Sequence, residues 1–221
     1  MEDAQTLFAL ASRTYPAAAS HISKSVGFHN AVFQGTGKGK DVFWGEIFPS
    51  EHFVQIYEDE AVFMDALEGF IKGGLQADDG VIVLATDAHL DALETRLEVS
   101  GIDLETARAQ GRYTALEAAQ ILESFMVKNW PDDKLFTSAV TQLITRARGD
   151  GRKVRAFGEM VAVLWARGDQ GATVRLEYLW NELCQTEAFS LFCAYPKAGF
   201  TRDATQSINE ICAAHSRLIA A

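Results

Sequence analysis

Hydrophobic and polar positions follow two different periods along the chain from residue 52 onward. Short runs rich in β-branched and aromatic residues predict five strands. These strands cover residues 52–57, 81–85, 112–116, 154–157 and 189–195. The run V-I-V-L-A at 81–85 is apolar at every position, as expected for a strand that is buried on both faces of a parallel sheet.

The stretches between these runs are amphipathic and predict helices, because their apolar residues recur at intervals of three and four. They cover residues 61–75, 117–127, 132–148, 158–167 and 172–187, with another helix that follows an N-cap at Asp87 and ends at Gly101. Apolar residues between Ile208 and Ile219, with His215 among them, predict a last helix. The alternation predicts an α/β fold with a mostly parallel central sheet and helices on both faces.

The carboxyl ends of parallel strands form the edge where ligands bind in such sheets. The residues predicted at that edge are Tyr57 and Glu58, Thr86 and Asp87, Leu116 and Glu117, Gly158 and Glu159, and Tyr195 and Pro196. The edge is therefore acidic and aromatic. Residues 57–60, the turn where a nucleotide-binding α/β protein has its phosphate loop, carry three carboxylates that would repel phosphates.

Residues 1–50 are predicted to be an N-terminal extension, followed by one α/β domain at 51–221. The extension is predicted to contain a short helix and a β-hairpin, since β-prone runs at 28–34 and 41–48 flank G-T-G-K-G-K at 35–40. A phosphate-binding loop needs a hydroxyl residue after its lysine and a helix after that, and these residues supply neither. A flexible hairpin tip is the favoured interpretation.

Composition narrows the classes of partner. The net charge of −10 disfavours binding to nucleic acid or to an anionic membrane surface. Three cysteines without paired spacing are typical of a reduced, cytoplasmic protein rather than of a disulfide framework or a zinc site. Neither a convincing signal peptide nor an apolar run of membrane-spanning length is present in the sequence.

The stretch V-R-A-F-G-E-M at 154–160 places a carboxylate, Glu159, at a predicted strand-to-helix junction. One interpretation is ordinary stabilisation of a helix N-terminus by a negative charge. The other is a carboxylate that faces a binding site, with Arg155, four residues earlier, as a potential partner across the strand end.

A second group of polar residues shares one helix face: Glu177, Trp180, Asn181 and Cys184 follow helical spacing. They form either a half-buried helix edge or one wall of a small-ligand site. Cys193 and Tyr195 alternate on the last strand, so both face the same side of the sheet. The sequence offers no base near Cys193, which predicts a core residue rather than a nucleophile.

These observations predict a ligand site without catalytic residues, metal ligands or a cofactor. The predicted ligand-binding residues are Tyr57, Arg155, Glu159, Glu177, Trp180, Asn181 and Tyr195. The five histidines are scattered and match no metal-binding or hydrolase motif. His215 is predicted to be a helix-face residue rather than a phosphoacceptor.

Several short motifs, in order and at consistent spacing, resemble the MEDS family of sensory domains, known from dichloromethane-responsive repressors and from chains with histidine kinases. The motifs are H-F-V-Q-I-Y at 52–57, F-I-K-G-G-L at 70–75, V-I-V-L-A-T-D at 81–87, L-x-x-S-G-I-D at 97–103, G-R-Y at 111–113, V-R-A-F-G-E-M at 154–160, L-E-Y-L-W-N at 176–181 and F-C-A-Y at 192–195. The layout also resembles a RecA/KaiC-type ATPase core that lacks its phosphate loop.

The resemblance implies a non-catalytic sensory module in signal transduction, such as a two-component system. Its expected partner is a separate signalling protein, a histidine kinase or a transcription regulator, and a small-molecule ligand and a homo-oligomer are possible. Two alternatives stay open at this point. One is a divergent ATPase with Glu159 or Glu58 as the base, which the missing lysine and hydroxyl disfavour. The other is a pure protein-interaction module that uses the N-terminal hairpin or the last helix.

Overall fold

The computed structural model describes Trp44, residues 47–200 and residues 205–219. The predicted N-terminal helix and hairpin lie outside the described residues, except for Trp44 and residues 47–48 of the second hairpin run. Trp44 and Ile47 are buried against the domain, where the Trp44 ring makes edge contacts with Phe53 and Phe70.

Eight strands occur in the described part of the chain. They are β1 His52–Tyr57, β2 Gly80–Ala85, β3 Tyr113–Glu117, β4 Met126–Val127, β5 Trp130–Pro131, β6 Val154–Gly158, β7 Ser190–Pro196 and β8 Arg217–Ile219. Six of them form one parallel sheet in the order β3-β2-β6-β7-β1-β8. The short strands β4 and β5 pair antiparallel in a separate hairpin.

Helices cover both faces of the large sheet, which confirms the predicted α/β class. They are α1 Glu60–Gln76, α2 Asp87–Val99, α3 Leu104–Ala109, α4 Ala118–Phe125, α5 Asp133–Arg148, α6 Met160–Ala166, α7 Gln170–Glu187 and α8 Thr205–Ala214. Helices α1, α2 and α3 pack on one face, and α4 to α8 pack on the other. Alternate residues of each strand enter the two apolar cores; on β7, for example, Phe192 faces the first core and Cys193 the second.

Local sequence signals explain several of the element boundaries. The Asp59 carboxylate accepts a hydrogen bond from the Ala61 amide at the start of α1, and the Asp132 carboxylate accepts two at the start of α5. Helix α5 ends at Arg148 and is followed by Gly149, whose φ of 47° suits glycine better than a residue with a side chain. Strand β2 is buried at every position, as its uniform apolar pattern predicts.

The prediction for the C-terminal segment was wrong in one respect. Helix α8 ends at Ala214, and residues 217–219 form the parallel edge strand β8 beside β1 rather than further helical turns. His215 lies in the connection between them, so it is not a helix-face residue. Helix α3 and the β4–β5 hairpin were also not predicted. Within the described residues, no helix is sufficiently long and apolar to cross a bilayer.

Candidate functional site

Glu159 lies at the junction between β6 and α6 and links three parts of the carboxyl edge. Its Oε2 accepts hydrogen bonds from the Thr86 backbone amide at 2.8 Å and from the Thr86 hydroxyl at 3.2 Å. Its Oε1 accepts a hydrogen bond from His89 Nδ1 at 2.7 Å. Its own amide donates to Leu84 at the end of β2. Because Thr86 and His89 flank the start of α2, one carboxylate fastens the β6–α6 junction to the β2–α2 junction.

Aromatic and acidic side chains from the β1–α1 junction complete this edge. The Tyr57 ring stacks on Phe63 with centroids 4.6 Å apart, and Phe63 meets the His89 ring edge-on at 5.2 Å. Glu60 Oε1 lies 3.4 Å from His89 Nε2, with most of its side chain exposed. We call Tyr57, Glu60, Thr86, His89 and Glu159 the edge cluster.

The edge cluster shifts the protonation of two of its members. The hydrogen bond to Glu159 raises the pKa of His89 above its ordinary value, against the opposing effect of partial burial. Burial raises the pKa of Tyr57 to about 12, helped by the charges of Glu159 and Glu60. The edge therefore favours a protonated His89 and a neutral Tyr57, and its remaining open hydrogen-bonding groups are mainly acceptors.

The connection between β1 and α1 comprises only Glu58 and Asp59. Asp59 caps α1, and Glu58 forms an ion pair with Lys197. Both carboxylates are thus engaged at the position where a nucleotide-binding protein would have its phosphate loop. A connection of this length and charge offers no cradle of backbone amides for phosphate oxygens.

Arg155 lies at the opposite end of β6 and does not pair with Glu159. Its Nε donates to Asp79 Oδ2 at 2.7 Å, and its Nη1 donates to the Trp44 carbonyl oxygen at 2.6 Å. Asp79 and Arg155 line an open depression of about 410 Å³ near the amino ends of β2 and β6. The structure therefore separates Arg155 from the edge cluster by the length of the strand.

A second constellation surrounds Glu177 in the core between α7, β1, β7 and the end of α8. Tyr195 donates a hydrogen bond to Glu177 Oε1. Glu177 Oε2 lies 3.6 Å from His52 Nε2 and 3.4 Å from His215 Nε2. Cys193 Sγ lies 3.4 Å from His52 Nε2. We call His52, Glu177, Cys193, Tyr195 and His215 the core cluster.

Burial controls the protonation of the core cluster, because desolvation disfavours every charged form. It raises the pKa of Glu177 to about 8, despite the opposing hydrogen bonds from Tyr195 and Cys193. It lowers the pKa of His52 well below the usual value and that of His215 to about 4. It also raises the pKa of Cys193 well above the usual range. The protein thus holds a polar but uncharged group inside its core.

Cys193 has a histidine neighbour, contrary to the expectation that no base lies near it. A nucleophilic cysteine needs a depressed pKa and a route for substrate, however, and Cys193 has a raised pKa and no exposed surface. The prediction that Cys193 is a buried core residue is therefore confirmed, while its polar surroundings were not predicted.

The two other predicted residues from α7 lie at the border of the core cluster. Trp180 is completely buried and packs edge-on against Phe136, and its ring also lies against Gly158. Asn181 is half-buried and hydrogen-bonds to His52, which partly counteracts the lowering of the pKa of His52. The seven predicted ligand-binding residues thus occupy three places: Tyr57 and Glu159 at the edge, Arg155 at the opposite end, and the α7 residues with Tyr195 in the core.

The model of the MEDS family, the methanogen/methylotroph, DcmR sensory domain, matches residues 51–216. The chain belongs to the MEDS family. This confirms the family resemblance of the sequence motifs and supports a sensory or regulatory role for the protein. No curated protein matches the sequence significantly.

Sequence reasoning missed several side chains that organise the two clusters of this MEDS domain. His89 was not predicted as a site residue, and Thr86 was predicted at the carboxyl edge but not as a ligand-binding residue, although both lie at the start of the helix after the most apolar strand. His52 was not predicted as a site residue, and Cys193 and His215 were each interpreted as structural residues, because the three are far apart in sequence and meet only through the order β7-β1-β8. A buried histidine that opens a largely apolar strand, as His52 opens β1, is the signal that could have drawn attention to the core cluster.

Proposed function

We propose that this MEDS domain is a non-catalytic sensory module that binds a small molecule at the carboxyl edge of its sheet. The observation that carries the proposal is the position of Glu159, whose carboxylate holds the starts of α2 and α6 together through Thr86 and His89. A ligand that competes for this carboxylate would change how two helices are attached to the sheet.

The chemistry of the edge favours a ligand that donates hydrogen bonds or carries positive charge. Glu60 and Glu159 offer carboxylate oxygens, and the Tyr57 ring offers an aromatic face for a cation. The same charges disfavour phosphates and carboxylates. A small alkylammonium ion combines the required charge with an apolar body, and we propose it as the ligand class.

Signal transmission would follow from two alternative attachments of α6. With Glu159 bound to Thr86 and His89, the start of α6 is fixed relative to α2. With Glu159 bound to a ligand, α6 would be free to adopt a second packing. The ligand shifts this equilibrium only by its difference in affinity for the two states. A partner protein, a histidine kinase or a transcription regulator, would detect the altered surface.

Calorimetric titration of the full chain with methylammonium chloride tests the proposal. We expect saturable binding by the native protein and at least about tenfold weaker binding by Glu159→Gln, since one charged contact is worth about 1.5–3 kcal/mol. Glu117→Gln is the matched control, because Glu117 is a helix-capping carboxylate at the end of the edge strand β3. It should bind like the native protein.

Two further titrations separate the alternatives. Saturable binding of dichloromethane without binding of methylammonium would contradict the cationic ligand class and favour an apolar one. Saturable binding of magnesium-ATP with release of phosphate would contradict the sensory proposal and favour a divergent ATPase. Equal binding by the native protein and Glu159→Gln would exclude the edge as the binding site.

A further inference from the structure

The four metal-binding side chains of the core cluster come from four different elements. His52 opens β1, Glu177 lies on α7, Cys193 lies on β7, and His215 follows α8. One possible ligand atom from each of them, two imidazole nitrogens, a carboxylate oxygen and a sulfur, lies within 4.8 Å of all the others. Burying two histidines, a cysteine and a glutamate together is costly, because each polar group must be desolvated.

The spacing of these atoms fits a tetrahedral metal ion. Zinc bonds to nitrogen, oxygen and sulfur ligands measure roughly 2.0–2.3 Å, which places neighbouring ligand atoms of a tetrahedron about 3.3–3.8 Å apart. His52 Nε2 lies 3.4 Å from Cys193 Sγ and 3.6 Å from Glu177 Oε2. His215 Nε2 lies 3.4 Å from Glu177 Oε2. Three of the six edges of such a tetrahedron are thus close to their expected lengths.

Hydrogen bonds to neighbouring groups outside the four side chains already point the ligand atoms toward the centre of the core cluster. His52 Nδ1 donates to the Ala214 carbonyl oxygen at 3.2 Å, and His215 Nδ1 donates to the Ile211 carbonyl oxygen at 2.6 Å. Each neutral imidazole therefore presents the lone pair of Nε2 to the centre of the cluster. This arrangement, with the other ring nitrogen held by a carbonyl, is typical of histidines that bind metals. Tyr195 fixes the Glu177 carboxylate in the same way.

Two of the inward-facing atoms have unmet hydrogen-bonding capacity. Among the residues that the structure describes, Glu177 Oε2 and His215 Nε2 have no hydrogen-bond partner, and the two side chains are 1% exposed. Once Glu177 is deprotonated, both atoms present lone pairs, and the contact between them is then unfavourable unless a positive centre lies between them. A metal ion would satisfy both atoms at once.

We propose that His52, Glu177, Cys193 and His215 form a closed site for a divalent transition-metal ion of the zinc(II) class. Two imidazoles, one carboxylate and one thiolate are ligands that zinc accepts readily. With four protein ligands and side chains that are almost fully buried, the site is structural in type rather than catalytic. Binding would release the thiol proton of Cys193 and the carboxyl proton of Glu177 to solvent.

The metal would fasten the C-terminal part of the domain to its centre. His215 lies two residues before β8, and among the described strands β8 pairs only with β1. A metal that joins His215 to His52, Cys193 and Glu177 would therefore hold the edge strand in place. This inference is independent of the proposed ligand at the edge cluster, because the two clusters share no residue.

Metal analysis of the full chain tests the proposal without any substitution. After removal of bound metals with a chelator, we expect the protein to take up one equivalent of zinc. We expect one equivalent of cobalt(II) to produce the strong visible bands of tetrahedral cobalt and a near-ultraviolet thiolate-to-cobalt band. The absence of zinc uptake and of both cobalt bands would overturn the proposal, whatever the variants do.

Cysteine variants locate the site. In Cys193→Ser the thiolate-to-cobalt band should disappear. In the matched control Cys184→Ser it should persist, because Cys184 is also buried but donates to the Phe189 carbonyl oxygen. Equal bands in the two variants would place the metal elsewhere and overturn the assignment. Near-ultraviolet circular dichroism verifies that each variant is folded.

Removing the hydrogen bond that supports the Glu177 carboxylate gives an independent test of the metal site through its zinc affinity. Tyr195→Phe removes the hydrogen bond to Glu177 but keeps all four ligands. We expect zinc affinity to fall about 10- to 100-fold, while the cobalt bands keep their positions. An unchanged zinc affinity would contradict a role for Glu177 as a ligand.

Discussion

Glu159 and Glu177 are both buried carboxylates beside histidines, yet their surroundings have opposite effects on those histidines. At the edge cluster, His89 points a donating nitrogen directly at Glu159, and its pKa is raised. In the core cluster, His52 and His215 use their donating nitrogens on backbone carbonyls, and their pKa values are lowered. Burial lowers the pKa of His52 and His215 despite their hydrogen bonds to carbonyl oxygens, whereas the hydrogen bond to the Glu159 carboxylate outweighs partial burial at His89. A histidine therefore becomes a charged partner where a carboxylate accepts its N–H, and a neutral group where burial dominates.

The largest expected effect is a loss of stability, and it tests whether Trp180 is a packed core residue or one wall of a ligand site. Trp180→Ala should lower the free energy of unfolding by about 3–5 kcal/mol, because it removes a fully buried indole and leaves a cavity. Trp130→Ala is the matched control, since Trp130 is half exposed, and it should cost at most about half as much. Urea denaturation measures both values. Equal costs would contradict the view that Trp180 is a core residue rather than the wall of a ligand site.

A smaller loss of stability, which depends on pH, tests the pair between His89 and Glu159 in the edge cluster. Because the pKa of His89 is raised in the folded state, the stability from its pair with Glu159 is complete below the ordinary histidine pKa of about 6.5. It is lost as the pH rises through the raised value. His89→Gln should therefore cost about 1.5–3 kcal/mol at pH 6 and clearly less at pH 9.

Urea denaturation of the native protein and His89→Gln at the two pH values gives this difference. Gln120→Ala, an exposed substitution on α4, corrects for general effects of pH. A cost of His89→Gln that is the same at both values would show that His89 contributes only as a neutral hydrogen-bonding group.

The smallest expected effect concerns the second bond from Thr86 to Glu159. Thr86→Val removes the hydroxyl donor but keeps the backbone amide donor, so it should lower the free energy of unfolding by about 0.5–1.5 kcal/mol. Thr86→Ser keeps the hydroxyl and should cost less. If the serine variant were the less stable of the two, packing of the methyl group rather than hydrogen bonding would govern this position.

Most of the fold could be predicted from the sequence because strands and helices differ in the period of their apolar residues. The bounds of β1 were predicted without error, and those of β2, β3, β6 and β7 to within one residue. Strand β8 was not, because three residues are too few to show a period of two. Its Leu218 and Ile219 also continue the helical spacing of the residues before them.

The edge of the sheet was easier to predict than the contents of its core. Tyr57, Thr86 and Glu159 follow strands directly, so a parallel sheet brings them to one edge whatever the strand order. The core cluster depends on two facts that the sequence does not contain: that β1 lies between β7 and β8, and that α7 crosses them. Arg155 was predicted near Glu159 because only four residues separate them in sequence. It lies instead near the amino end of β6, and Glu159 follows the carboxyl end.

The position of β1 between β7 and β8 also has a consequence for synthesis on the ribosome. Strands β2, β3 and β6 can pair as soon as they emerge, whereas β1 is made before them and both of its neighbours are made last. His52 pairs with Leu191, and Phe53 pairs with Arg217, so β1 stays without its sheet partners until residues 190–219 have been synthesised. During that interval its unpaired edges are exposed to aggregation, and the nascent chain would depend on chaperones at that stage.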